Sequence, residues 1–268
     1  MLQLNNPMDI LKLLDKSNCR ECGYPTCLAF AAAVARGQKR LDECPRLDKE
    51  LTEQFKEQGQ AQTSDERDME NIVAQMKGKM KTLDLQSAAK RLEVPFSNNI
   101  ITIRVLGKNV YVDAEGKFSS EIHLHHWIIG PILNYIIHGA GRTPTGEWIS
   151  FRELKDGMTW YNFFLKRCEK PLKKVADTYP DLFHDMLYIF NGKQVENHYQ
   201  SDISLVLLPL PKLPILVCYW KPEDGLGSSL NLFFDVTASE NLPTESIYTL
   251  CTGLVIMFEK IALRHGGG

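Results

Sequence analysis

Four cysteines stand at the spacing C-x2-C-x4-C-x16-C-P: Cys19, Cys22, Cys27 and Cys44, the last followed by Pro45. The first three fall within nine residues, so one loop can present three thiolates to one centre while the fourth returns from further along the chain. Soft thiolates suit zinc and iron–sulfur clusters. Structural zinc draws on two separated pairs, C-x2-C with C-x2-C or H-x3–5-H. Here the grouping is three plus one, and no histidine precedes His123. A loop triple with a remote cysteine before proline is the idiom of cubane iron–sulfur clusters. That assignment is favoured over zinc, and a disulfide pair comes last.

The elements that must hold this set can be read beside it. Gly23 and Pro25 suit a loop passing close to sulfur, since glycine frees the backbone and proline stiffens the turn. Thr26 is placed to cap a helix over "CLAFAAAVAR" that ends at Gly37. Cys27 then sits at a helix N-terminus, where amide N–H groups and the dipole favour negative charge.

The stretch "NCRECGYPTCLAFAAAVARG...ECP" resembles the four-cysteine module of the corrinoid iron–sulfur protein large subunit and of the Rnf-complex B subunit. The resemblance covers about residues 5–47, and every position of the motif is present. It implies a [4Fe–4S] cluster with Cys19, Cys22, Cys27 and Cys44 as ligands.

Other reactive side chains have plainer readings. Cys218 in "LPILVCYW" and Cys251 in "IYTLCTGLVIMF" read as core residues, because free cysteine often behaves as a small hydrophobe. Cys168 in "FLKRCEKP" has basic neighbours that can lower its pKa. With no acid–base partner nearby, it too reads as structural. His123, His125 and His126 crowd the stretch "EIHLHHW", and on a helix positions 123 and 126 share a face. No H-E-x-x-H spacing accompanies them, and His126 continues a stripe through Ile129, Leu133 and Ile136, so a hydrogen-bonded core histidine is favoured over a ligand. Arg152 in "GEWISFREL" lies between apolar residues, where it can meet an anionic ligand or, as the favoured reading, pair internally with Asp202 or Asp235. Dinucleotide, P-loop and G-x-S-x-G fingerprints are absent from the sequence.

The chain of 268 residues carries a net charge of −2, which gives no global argument for nucleic acid or an anionic membrane. The sequence shows no run of about 18 uninterrupted apolar residues and no secretory leader, so the expectation is a cytoplasmic protein without a membrane span. Reduced thiols in that compartment again favour metal over disulfide. Three segments are expected: a cluster module at 1–47, a helical connector at 48–83 and a larger domain at 84–268. In the connector a helix starts at Ser64, and Met69, Ile72, Val73, Met76 and Met80 recur at helical spacing as a docking face.

The larger domain mixes helical and strand patterns without a βαβ rhythm, which predicts an α+β fold with antiparallel strands. The spacing predicts a hairpin turning at Gly107–Lys108, a helix over 120–138 kinked at Gly130–Pro131, and helices at Trp160–Arg167 and Pro171–Thr178. Three strands follow, then a C-terminal helix with Pro243 as its first residue. The stretches "LNYIIHGAGRTPTGEWISFRELKDG", "LPLPKLPILVCYW" and "LFFDVTASENLPTE" resemble an uncharacterised domain of anaerobic bacteria and archaea, often fused behind the same cluster module. That resemblance supplies no catalytic residues, so whether the protein is an enzyme stays open.

The function expected is single-electron transfer. The cluster would serve a redox protein partner, by resemblance a corrinoid protein or a flavin- or iron–sulfur-containing oxidoreductase of anaerobic metabolism. The alternative is a redox enzyme or sensor whose larger domain binds its own corrinoid, heme or flavin, with His126 and Arg152 as the candidate cofactor-binding residues.

Overall fold

The computed structural model describes residues 6–35, 39, 41–48, 64–120, 124–223 and 225–265. Contacts divide the chain into two compact units, residues 1–71 and 72–268.

The small unit begins with helix α1 (Pro7–Leu13). Asn6 caps it by accepting the Met8 N–H at 2.9 Å, and Pro7 occupies the first turn, where its missing N–H has no intrahelical partner to lose. Helix α2 (Cys27–Ala35) packs on α1. Ile10 and Leu14 meet Phe30, Ala31 and Val34, and Leu41 and Leu47 complete the core from a 3-10 turn (Leu41–Glu43) and the segment after it. A core this small stabilises weakly, and domains of about 40 residues usually need a metal, disulfides or a partner to fold.

The larger unit takes in the second part of helix α3 (Ser64–Met80), whose Val73, Met76 and Met80 lie against its core. Met80 is fully buried, Ile72 is 38% exposed, and the side chain of Met69 lies outside the described residues. Helix α4 (Leu85–Leu92) is capped by Asp84, which accepts the Gln86 and Ser87 N–H groups. An antiparallel sheet follows in the order β1-β2-β3-β4: Phe96–Ser97, Ile100–Val105, Lys108–Asp113 and Phe118–Ser120. Its hairpin turns on Leu106–Gly107, one residue earlier than expected. Both are left-handed (φ 47° and 82°), as a two-residue type I′ turn demands. A leucine holds the first position because it is buried there and its N–H donates to the Leu208 carbonyl at 3.2 Å.

The apolar helix also differs from expectation. Helix α5 (His126–His138) starts at His126, since Phe118–Ser120 pair as strand β4 and His125 is an extended N-cap. Pro131 lies inside it and Gly139 ends it. Strand β5 (Trp148–Ser150) leads to α6 (Gly157–Phe164), a π-helical turn (Leu165–Glu169) and α7 (Lys170–Thr178). The two helices expected here are one continuous rod. Pro171 has no N–H to give an i−4 carbonyl, and the wider π turn before it absorbs the break. The short helix α8 (Leu182–Tyr188) and strand β6 (Lys193–Gln194) precede β7 (Ile203–Leu210), β8 (Leu213–Trp220) and β9 (Ser229–Asp235). These strands form a second antiparallel sheet in the order β5-β9-β8-β7-β6.

After the short α9 (Ala238–Asn241) comes α10 (Thr244–His265), entered one residue after Pro243, whose carbonyl accepts the Ile247 N–H. By length and mean hydropathy (1.5 over its apolar window) α10 is apolar enough to cross a membrane, which the absence of an unbroken apolar run did not foreshadow. Here 61% of that window is buried, with Ile247, Leu250, Leu254 and Phe258 in the core between the second sheet, α5 and the α6–α7 rod. Helices mixed with antiparallel sheets make the fold α+β.

Candidate metal centre

Local sequence explains how the cysteine loop is built. Left-handed backbone recurs at Lys16 (φ 61°), Asn18 (51°), Arg20 (65°) and Gly23 (80°), so the chain winds tightly before entering α2. Thr26 caps that helix as expected, its hydroxyl accepting the Ala29 N–H at 3.1 Å. Cys27 is the first residue of α2 and is buried, and its own N–H donates to the Asn18 side-chain oxygen at 2.8 Å. In return the Asn18 N–H donates to the Cys27 Sγ at 3.4 Å.

Cys44 arrives by a different route. The 3-10 turn before it is held by the Cys44 N–H donating to the Leu41 carbonyl at 3.2 Å. Two residues on, Arg46 donates to Glu21 at 2.8 Å and lies 3.9 Å from Asp15, so the segment carrying Cys44 is tied to the loop carrying Cys19 and Cys22. Exposed pairs of this kind contribute little energy, but they fix which segments are neighbours. Cys44 is buried in the same small core as Cys27, with Cys22 packed against it. Burial pushes the Cys44 thiol up, a hydrogen bond from the Arg46 backbone pulls it down, and the charges of Cys22, Cys19 and Cys27 push it up again. Cys44 is therefore within electrostatic reach of the other three sulfurs. Cys19 and Cys22 are half-buried, Cys27 and Cys44 buried, and all four are free thiols. Among the described residues no three His, Cys, Asp or Glu side chains close round one ion-sized point; the four thiols share a module rather than a closed cage. The donor set fits an iron–sulfur cluster: four soft ligands, backbone N–H groups directed at two of the sulfurs, a helix N-terminus and an apolar floor.

The remaining cysteines belong to the larger unit. Cys168 is fully buried in the π turn, its Sγ 3.5 Å from the Thr252 hydroxyl, and burial pushes its pKa up to about 12. The basic neighbours do not activate it, because desolvation outweighs the nearby Arg167 charge. Cys218 and Cys251 are likewise buried, and burial raises both.

The other sequence-derived candidates are only partly within the described residues. His123 and the side chain of His126 lie outside the described residues. His125 lies just before α5, as its N-cap. Arg152 lies exposed on a 3-10 turn (Phe151–Glu153). Its suggested partners are otherwise engaged. Asp202 accepts the Lys221 N–H at 2.7 Å, and buried Asp235 accepts Gly146 N–H and both the N–H and hydroxyl of Thr237. A crevice between β7–β9 and α10 is lined by apolar side chains such as Leu207, Val217, Leu254 and Phe258, and it has room for about one water molecule.

Sequence reasoning missed Asn18 and Glu169. Glu169 is a carboxyl buried beneath β9, where it accepts the Leu232 N–H at 3.0 Å. Asn18 left one trace, its place directly before the first cysteine.

Comparison with known proteins fixes the context. The family model described as "Domain of unknown function (DUF3786)" matches residues 84–257, most of the chain. The chain belongs to that family. Ahead of the DUF3786 domain, residues 14–46 match a family described as "Putative Fe-S cluster". That segment is similar to the acetyl-CoA decarbonylase/synthase complex subunit gamma of Methanocaldococcus jannaschii, 52% identical over 40 residues, which is 15% of this chain and 8% of the relative. It is also similar to the corrinoid/iron-sulfur protein large subunit of Moorella thermoacetica, 58% identical over 38 residues, 14% of this chain and 8% of that protein. The subunit gamma of Methanopyrus kandleri is 40% identical over 57 residues, covering 21% and 12%. The chain thus spans only a small part of these relatives. No solved structure matches it. The comparisons support an iron–sulfur cluster in the N-terminal segment.

Proposed function

We propose that this chain is an electron-transfer protein carrying one [4Fe–4S] cluster on Cys19, Cys22, Cys27 and Cys44. The observation that carries this reading is the three-plus-one cysteine set, three of whose members (Cys22, Cys27 and Cys44) meet in one small core, within a segment similar to iron–sulfur proteins. When bound, the cluster supplies one-electron redox chemistry. The protein's own residues do the rest. The loop and α2 present thiolates, the Asn18 and Arg46 N–H groups partner two sulfurs, and Ile10, Phe30 and Val34 shield one side from water. Cys19 and Cys22, being half-buried, are the side from which an electron leaves or enters. The name of one relative points to a corrinoid protein as the partner class; the reading places a flavin or iron–sulfur oxidoreductase next, and the chain in the cytoplasm. The segments 1–47 and 84–268 then divide the work between electron carrier and partner docking.

The test is a reductive titration of protein purified without oxygen, using dithionite. It should take up one electron per chain with reversible bleaching, and Cys44→Ser protein should take up none at the same potential. Two-electron uptake, or uptake unchanged in Cys44→Ser, would contradict the reading.

A further inference from the structure

Asn18 and Cys27 are joined by two hydrogen bonds running in opposite senses. The Asn18 side-chain oxygen accepts the Cys27 N–H at 2.8 Å, and the Asn18 backbone N–H donates to the Cys27 Sγ at 3.4 Å. The first bond satisfies one of the N–H groups that a helix start leaves unpaired, while Thr26 satisfies another. Because both ends of the pair lie on the same two residues, the side-chain bond fixes the direction of the backbone donor. Asn18 holds φ at 51°, a left-handed conformation that asparagine tolerates better than most side chains. Lys16 and Arg20, two residues to either side, are left-handed as well. Non-glycine residues in this region are strained, so three at alternate positions mark a loop whose shape is held by its surroundings.

We infer that Asn18 is a positioning residue that sets the redox poise of the centre through the Cys27 sulfur. The inference rests on the cluster assignment proposed above. Its physical basis is a charge argument. Negative charge on a ligand sulfur grows when the centre accepts an electron, so an N–H donor at that sulfur stabilises the reduced form more than the oxidised one and raises the potential. The side chain never touches sulfur; it acts by holding the backbone N–H in line. Reduction here means one electron accepted from an external donor, dithionite in the test, with no bond made or broken in the protein.

The experiment compares full-length wild type with Asn18→Ala and Asn18→Gly, all prepared without oxygen. Iron and sulfide are counted, and the midpoint is read by redox titration followed by the paramagnetic signal of the reduced centre. Both substitutions delete the acceptor for the Cys27 N–H, and glycine keeps the left-handed backbone at no strain, so the second variant separates the clamp from the loop's conformation. The expected result is iron-loaded variant in which, at the wild-type midpoint, the ratio of oxidised to reduced centre rises about tenfold; for one electron that is a downward shift of about 59 mV. A fully loaded variant pair with the wild-type midpoint would overturn the inference, as would two variants that fold by circular dichroism yet hold no iron, since Asn18 would then only build the site. Wild-type protein lacking iron and sulfide would overturn the cluster assignment itself, a failure seen before any variant is compared.

Discussion

At the scale of single residues the seven cysteines sort by environment, and the sorting can be read chemically. Cys168, Cys218 and Cys251 are buried, and burial raises the pKa of each, to about 12 at Cys168. At pH 8 a thiol of that pKa is ionised to about one part in ten thousand, and only the thiolate alkylates. In native, metal-stripped protein we therefore expect iodoacetamide to modify Cys19 and Cys22 first and to leave those three untouched until denaturant is added, as mass spectrometry of the digested chain would show. Early alkylation of Cys168 would contradict its placement. The proposed cluster cysteines stand out in the sequence because residue type and spacing are sequence properties. Asn18 was not, because its part depends on a backbone N–H and a left-handed φ, neither of which residue type records. Cys168 reads as structural in the sequence and is buried in the fold; its basic flank gives the opposite cue only because charge is visible in a sequence and desolvation is not.

At the scale of elements the π turn is the informative piece. It places Glu169 beneath β9, where burial raises its pKa against the opposing hydrogen bonds from the Leu232 N–H and Asn231. A carboxyl raised in the folded state binds its proton more tightly there than in the unfolded chain. Its contribution is therefore fully present below the unfolded value near 4.5 and is lost as pH rises through the folded pKa. We expect thermal unfolding of the larger unit to show a loss of stability with rising pH in that window, and Glu169→Gln to abolish it while the amide oxygen still accepts the Leu232 N–H. Parallel pH profiles for the two proteins would rule this out. The rod itself was read as two helices because Pro171 looks like a breaker; the π turn, which accommodates the missing N–H, depends on packing around Cys168 and Glu169. The early start given to α5 had a similar cause: an apolar run carries no mark of where pairing as β4 ends.

At the scale of the molecule the chain separates at Asn71–Ile72 by its own contacts, whereas the family match begins at residue 84. The difference is helix α3, whose Val73, Met76 and Met80 cover the larger core. A fragment of residues 72–268 should fold cooperatively and be colourless. One of residues 84–268 should be less stable by about 2–5 kcal/mol, the usual cost of losing a buried methionine-sized side chain. Urea unfolding compares them, and equal midpoints would show that α3 adds nothing. The α+β class and the strand content were legible from alternating patterns. The two-sheet arrangement was not, because which strands share a sheet is decided by long-range pairing such as β5 with β9.

The central claim, a four-iron cluster on four named cysteines, meets its most direct test in metal and sulfide analysis of the full chain purified without oxygen. The account requires close to four iron and four acid-labile sulfides per chain, as a cubane does, with brown colour that bleaches on reduction. Stoichiometric zinc without sulfide would contradict it.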